Sequence, residues 1–252
     1  EIFDVIGAHG HLDIVKGKRQ GLEREYVEGS YWDSGWASGR MITDPEMRVA
    51  NMYNAAVLLT NIKLTNQHIP TLAKIVDMAM KDGRDSLVVV APGVSDSVVG
   101  LLLLNGKEKE GGKFATLAAK LADIQPRQTL DLEDMAILTG GKVINRDAGD
   151  TLDGFKQEDF GKARRLWASK YHLGVVSGEG NKYKLREHIV ALRKSIPQIE
   201  DKYLRELTLT RVGRLMGGSA ILRVGGATDS ELMLRKELKE DDRLKKTNIF
   251  DV

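Results

Sequence analysis

Between residues 55 and 145 the sequence switches repeatedly between strand-like and helix-like patterning, and that alternation leaves few architectures open. AAVLLTNIKL (55–64) is an apolar run of strand length. HIPTLAKIVDMAMKDG (68–83) follows with Ile69, Leu72, Ile75, Val76 and Ala79 on one helical stripe. Pro70 suits a first helical turn, where its missing N–H costs nothing, and Gly83 suits the position just past the end. LVVVAPG (87–93) reads as a buried strand with a Pro-Gly stop. SDSVVGLLLLN (95–105) reads as the next helix, with Ser95 or Asp96 as N-cap. FATLAAKL (114–121) reads as a strand whose alanines also allow a helix, and LEDMAILTGGKVIN (132–145) as a helix, a Gly-Gly stop and a strand. Repeated strand-then-helix units predict an α/β domain.

The flanks are less regular. Ile2 to Gly7 and His11 to Val15 read as short strands separated by turns. GSYWDSGWASGRMI (29–42) has the composition of an irregular loop, yet it holds Tyr31, Trp32, Trp36 and Met41. Beyond residue 145 come a strand (163–170), a hairpin-like stretch (171–181) and two helices (182–196 and 198–216) divided by Pro197 and stopped by Gly217-Gly218. A strand over 219–227 precedes TDSE (228–231), a capping box that opens a last helix through Leu244.

Several kinds of chemistry are excluded. The chain has no cysteine, which removes disulfides, thiolate metal sites and cysteine nucleophiles. Lys plus Arg number 38 against 36 Asp plus Glu, so charge gives no argument for nucleic acid or membrane as partner. No apolar run reaches the roughly 18 residues of a membrane span, no signal peptide is recognisable, and a cytoplasmic location is expected. A chain that begins at Glu1 without an initiator methionine is expected to be a fragment. GKEKEGGKF (106–114) misses P-loop spacing and puts Phe114 where a hydroxyl is needed. VGGATDSE (224–231) reads as a tight turn before a capped helix. His9 and His11 lack a third metal ligand nearby, and His68, His172 and His188 stand at no defining catalytic spacing. No catalytic, cofactor or metal residue is expected.

SVVGLLLLNG (97–106) poses a different question. On a helical wheel Val98, Leu101 and Leu102 form one face, while Val99, Leu103 and Leu104 occupy another flank, with Gly100 between. A helix apolar nearly all round is deeply buried or shows one apolar face. Met78 and Met80 give the preceding helix surplus apolar surface too. Two such helices beside an aromatic loop predict an exposed apolar patch, the usual mark of an interaction site.

At this point the chain resembles a known family. IGAHGHLDIVKGKRQGLEREYVEGSYWDSGW (6–36), DMAILTGGKVI (134–144), FGKARRLWASK (160–170) and RLMGGSAILRVGGATDSELMLRKELKEDDRL (214–244) are similar, in order, to the apical domain and adjoining intermediate-domain segments of a GroEL-type group I chaperonin. The resemblance implies an α/β apical domain over 30–217, its strands flanked by helices. It also implies a small α+β intermediate-domain remnant made from both chain ends, 1–29 and 218–252.

In that family the apical domain captures non-native polypeptides, and a co-chaperonin lid, on two helices and a preceding loop. Carried over, the polypeptide-binding residues are Trp36, Ala37 and Met41 in the loop, Leu72, Ile75 and Val76 (with Met80) on the first helix, and Val99, Leu103, Leu104 and Asn105 on the second. Gly29, Gly217 and Gly218 match the hinge, though turn and helix-stop glycines would read the same. Arg40 stands where the family usually has a second loop aromatic, and Ser34 where it has arginine. ATP and magnesium are implied only for the ring-forming full-length parent, whose equatorial domain has no counterpart here. The chain itself is expected to be a monomeric binding module without ATPase activity. Two readings independent of the resemblance stand beside it: an α/β enzyme with an apolar pocket between the same helices, and a module that docks one specific protein.

Overall fold

The computed structural model describes residues 11–16, 21–105, 108–109, 112–122, 124–216 and 218–225. The strands are β1 (His11–Lys16), β2 (Gly21–Glu28), β3 (Ser30–Trp32), β4 (Gly35–Trp36), β5 (Ala50–Thr60), β6 (Ser86–Ala91), β7 (Glu108–Lys109), β8 (Gly112–Lys113), β9 (Ala115–Lys120), β10 (Val143–Ile144), β11 (Gly161–Ala168), β12 (Leu173–Gly178) and β13 (Gly218–Gly225). The helices are α1 (Ile69–Lys81), α2 (Asp96–Asn105), α3 (Arg127–Thr139), α4 (Lys182–Ser195) and α5 (Lys202–Leu215).

The chain divides into two compact units, Tyr31–Glu187 and Glu1–Ser30 with His188–Val252. The second boundary differs from the one expected at 217/218. It falls inside α4, so that α5 belongs with the chain ends. The cause is packing: α5 lies against β13 and β1, burying Leu207, Val212 and Leu215. In this terminal unit β13 runs parallel to β1 and antiparallel to β2, from Gly218 opposite Glu28 to Gly225 opposite Gly21. Segments about two hundred residues apart thus share one sheet. Asp201 caps α5 by accepting from the Leu204 N–H at 2.8 Å, and the Ser30 hydroxyl donates to the Arg214 carbonyl at 2.7 Å.

The larger unit is a mixed sheet in the order β3-β12-β11-β5-β6-β9-β4, with β10 beside the end of β5. β5, β6 and β9 run parallel, so each link is a crossover: α1 carries the chain from β5 to β6, and α2 carries it from β6 to β9. All six residues of β6 are buried, as are Ala55–Thr60 of β5, which is why both segments read as unbroken apolar runs. FATLAAKL resolves as the strand β9. α3 begins at Arg127, earlier than its sequence pattern shows, because it opens on polar residues. β3 and β4 lie at opposite ends of the sheet path but are separated only by Asp33 and Ser34, so one short segment pairs with both ends.

Two non-glycine residues inside strands have left-handed backbone, Asn54 (φ 43°) and Ser177 (φ 55°). They flank Arg164 on the intervening strand. The ladders pair Ala163 and Arg165 with both neighbours and step over Arg164. Asparagine tolerates this conformation, and its amide is used fully: Nδ2 donates to the Gly83 carbonyl (3.3 Å) and to Asp85 (3.0 Å), and Oδ1 accepts from Arg84 (2.9 Å). Arg84 also pairs with Glu179 at 3.2 Å. At the same corner Asp82 accepts from Gln157 at 2.6 Å and pairs with Lys162 at 3.1 Å. The Gln157 hydrogen bond, then Lys162 and Arg84, hold the Asp82 carboxyl below its ordinary value against the opposing effect of burial.

Two predictions follow from this corner. Asn54→Val is expected to destabilise by about 2–4 kcal/mol, through left-handed strain and lost hydrogen bonds, and Asn54→Gly by about 1–2 kcal/mol, through the hydrogen bonds alone; urea unfolding measures both. The lowered Asp82 pKa makes a stability contribution present above the unfolded-state carboxyl value of about 3.9 and lost as pH falls through the folded value. Unfolding midpoints from pH 6 down to pH 2 should therefore decline less steeply in Asp82→Asn than in the wild type.

Candidate functional site

The three elements assigned to polypeptide capture divide between core and surface. The aromatic loop is mostly structural. Tyr31 and Trp32 are fully buried, and Met41, only 3% exposed, accepts the Ala118 N–H on its sulfur at 3.2 Å. Met41 therefore covers the outer edge of β9 and does not belong to an exposed site. Trp36 and Ala37 remain half-buried. Their backbone is fixed by Trp36 N–H to the Ser169 carbonyl (3.0 Å) and Ala37 N–H to the Ala118 carbonyl (2.7 Å). A Cβ on Gly35 would lie 1.9 Å from the Lys170 carbonyl oxygen, so only glycine fits where the loop crosses the β11–β12 turn. Asp33 clasps the same crossing, paired with Arg127 at the start of α3 and 3.8 Å from His172.

On α1 the structure corrects the expected set. Leu72, Ile75 and Val76 are buried with Ala79 and pack against the sheet. They are the helix's core stripe, and a crossover helix must turn that stripe inward. Met80, the fourth residue expected there, is partly exposed, and so are Ile69 and Met78, on the helix's two flanks. Thr71, on one flank, donates to Asp153 at 2.5 Å.

On α2, a neighbour of α1, the buried residues are Val98, Val99 and Leu102. Val99 stands three residues before Leu102, on the same helical face, and so is core rather than capture surface. Leu101, expected in the core, is half-buried, as is Leu103. Leu104 is 75% exposed. Asn105 ends the helix, and its side chain lies outside the described residues. The Thr116 hydroxyl on β9 donates to the Leu102 carbonyl at 2.7 Å, holding this helix to the sheet.

Gly100, between the two apolar faces of the helical wheel, lies on the solvent side of α2, where an added Cβ would meet nothing within 4 Å beyond its neighbours and the helix's own backbone. An interior helical glycine costs about 1 kcal/mol relative to alanine, which is the signal that marks the position in the sequence. Of the glycines expected at a hinge, Gly29 has left-handed backbone (φ 88°), Gly218 opens β13, and Gly217 lies outside the described residues, as does the capping box at 228–231. Among the described residues no helix is long and apolar enough to cross a membrane.

No family model matches the chain. Among solved structures it is similar to the chaperonin gp146 from the Pseudomonas aeruginosa bacteriophage EL 2, with a TM-score of 0.65, 13% identity and 95% of this chain covered. The fold resembles part of a chaperonin. The match takes in 46% of the length of that chaperonin chain, and at this identity the likeness is one of fold.

The division within α2 generates a stability test. Leu102→Ala is expected to cost about 2–5 kcal/mol as a core deletion, whereas Leu104→Ser should stay within about 0.5 kcal/mol of wild type in chemical unfolding.

Proposed function

We propose that the chain is the polypeptide-binding part of a chaperonin and takes up non-native protein segments along the outer side of α2 and the adjoining flank of α1. The observation that carries this reading is Leu104. It is a large apolar side chain three-quarters exposed, beside half-buried Leu101 and Leu103, on a helix whose other apolar residues fill the core of a chaperonin-like fold. Burial of a leucine side chain is worth about 1.5–3 kcal/mol, so a surface of this size holds a segment weakly. Ordering a flexible client offsets part of that gain. Weak capture suits repeated binding and release, and a ring of such surfaces in a longer parent would multiply it through effective concentration. In this reading a co-chaperonin lid competes for the same surface, and ATP with magnesium acts in a domain outside this chain. The burial of Met41, Leu72, Ile75, Val76 and Val99 leaves a compact apolar surface, which favours a narrower partner range than the sequence pattern implied.

A fluorescent amphipathic peptide and an unfolded, aggregation-prone protein test the reading. Wild type is expected to bind both in the micromolar range. A Leu103→Ser, Leu104→Ser double variant with an unchanged melting temperature is expected to lose at least tenfold in affinity. Equal binding by that variant removes α2 as the capture surface.

A further inference from the structure

Neither packing nor backbone geometry accounts for Gly100. It is the fifth of the ten residues of α2, it is not among the residues with left-handed backbone, and beyond its two neighbours and the helix's own backbone no atom lies within 4 Å of the Cβ that another residue would place there. A side chain would fit, and most would favour the helix more. One turn toward the C-terminus stand Leu103 and the exposed Leu104; one turn toward the N-terminus stand Asp96 and Ser97. The hydroxyls of Ser97 and Ser95 are engaged by Asn66, and among the residues of α2 itself the exposed charge at that end is the Asp96 carboxylate. Along its solvent side α2 therefore shows a carboxylate, a stretch of bare backbone and a leucine wall. A local rule broken without structural compensation is characteristic of a functional position.

We propose that Gly100 is the seat for one large apolar side chain of a bound extended polypeptide, and that Asp96 holds a basic residue two positions away in the same segment. This rests on the reading of α2 as a polypeptide-binding surface and gives that surface a sequence preference. The missing side chain lets an aromatic or branched group pack directly on the helix backbone, with Leu103 and Leu104 as its wall. The spacing matches. Asp96 and Gly100 are four positions apart on the helix, as are Gly100 and Leu104, about 6 Å each along the axis. Side chains on one face of an extended strand repeat every ~6.6 Å. The favoured occupant is a segment with a basic residue, a large apolar residue and a second apolar residue at alternate positions. The Asp96 charge selects against an acidic residue at the first of them.

The probes are labelled peptides with Lys, Phe and Leu at alternate positions, made in both chain directions, with Phe→Ala and Lys→Glu versions of each. The full chain is expected to bind the Phe form of one direction about tenfold more tightly than its Ala form. Gly100→Leu, which fills the seat, should bring that ratio close to one, and Gly100→Ala should lower it partway while raising the melting temperature. Asp96→Asn should reduce the preference for Lys over Glu and weaken its dependence on salt. If the Phe-to-Ala ratio is unchanged in Gly100→Leu while Leu103→Ser, Leu104→Ser abolishes binding, the seat is wrong and the capture surface stands. If the wild type binds neither these peptides nor unfolded protein, the capture surface fails and the seat with it.

Discussion

A strand buried on both faces must find a partner for every backbone N–H and C=O without help from water, and β5 is the strand on which this requirement falls hardest. Its last six residues are fully shielded. β6 satisfies one edge, while β11 and then β10 share the other. The parallel alignment of β6 forces a crossover, so α1 must lie over the sheet, and the same holds for α2 between β6 and β9. The positions of both candidate binding helices are thus consequences of how the buried strands β5 and β6 satisfy their hydrogen bonds.

That placement decides what the helices have left to offer. α1 is amphipathic, and its single apolar stripe is used against the sheet, leaving Ile69, Met78 and Met80 at the margins. α2 is apolar nearly all round. Once Val98, Val99 and Leu102 have filled the core, leucines remain facing outward. An apolar excess beyond what one buried face can hold leaves a crossover helix with an apolar surface facing outward. Gly100 stands at the middle of that surface, where a glycine has no folding role.

The aromatic loop shows the same competition with the opposite result. Its large side chains have the look of bait when read in sequence, yet the segment must pair with both ends of the sheet and cross the β11–β12 turn. Tyr31, Trp32 and Met41 are spent on that closure, and Asp33 fixes it through Arg127 and His172. Aromatic area in a loop is thus no guide to function until it is known what the loop must seal.

The sequence by itself determined the α/β class, the helices 69–81 and 96–105 to within a residue or two, and the strands between them. These features are local: apolar period, Pro70 in a first turn and Gly83 past an end act over a few residues. It also marked α2 as carrying more apolar surface than a core face needs. Only the tertiary structure decided which apolar residues remain outside, placing Val99 inward and Leu101 halfway out, because burial depends on the direction from which the sheet approaches the helix. It alone joined β1 and β2 to β13 across most of the chain, and gave α5 to that terminal unit. Such pairings are made between residues far apart in sequence, and no local period records them.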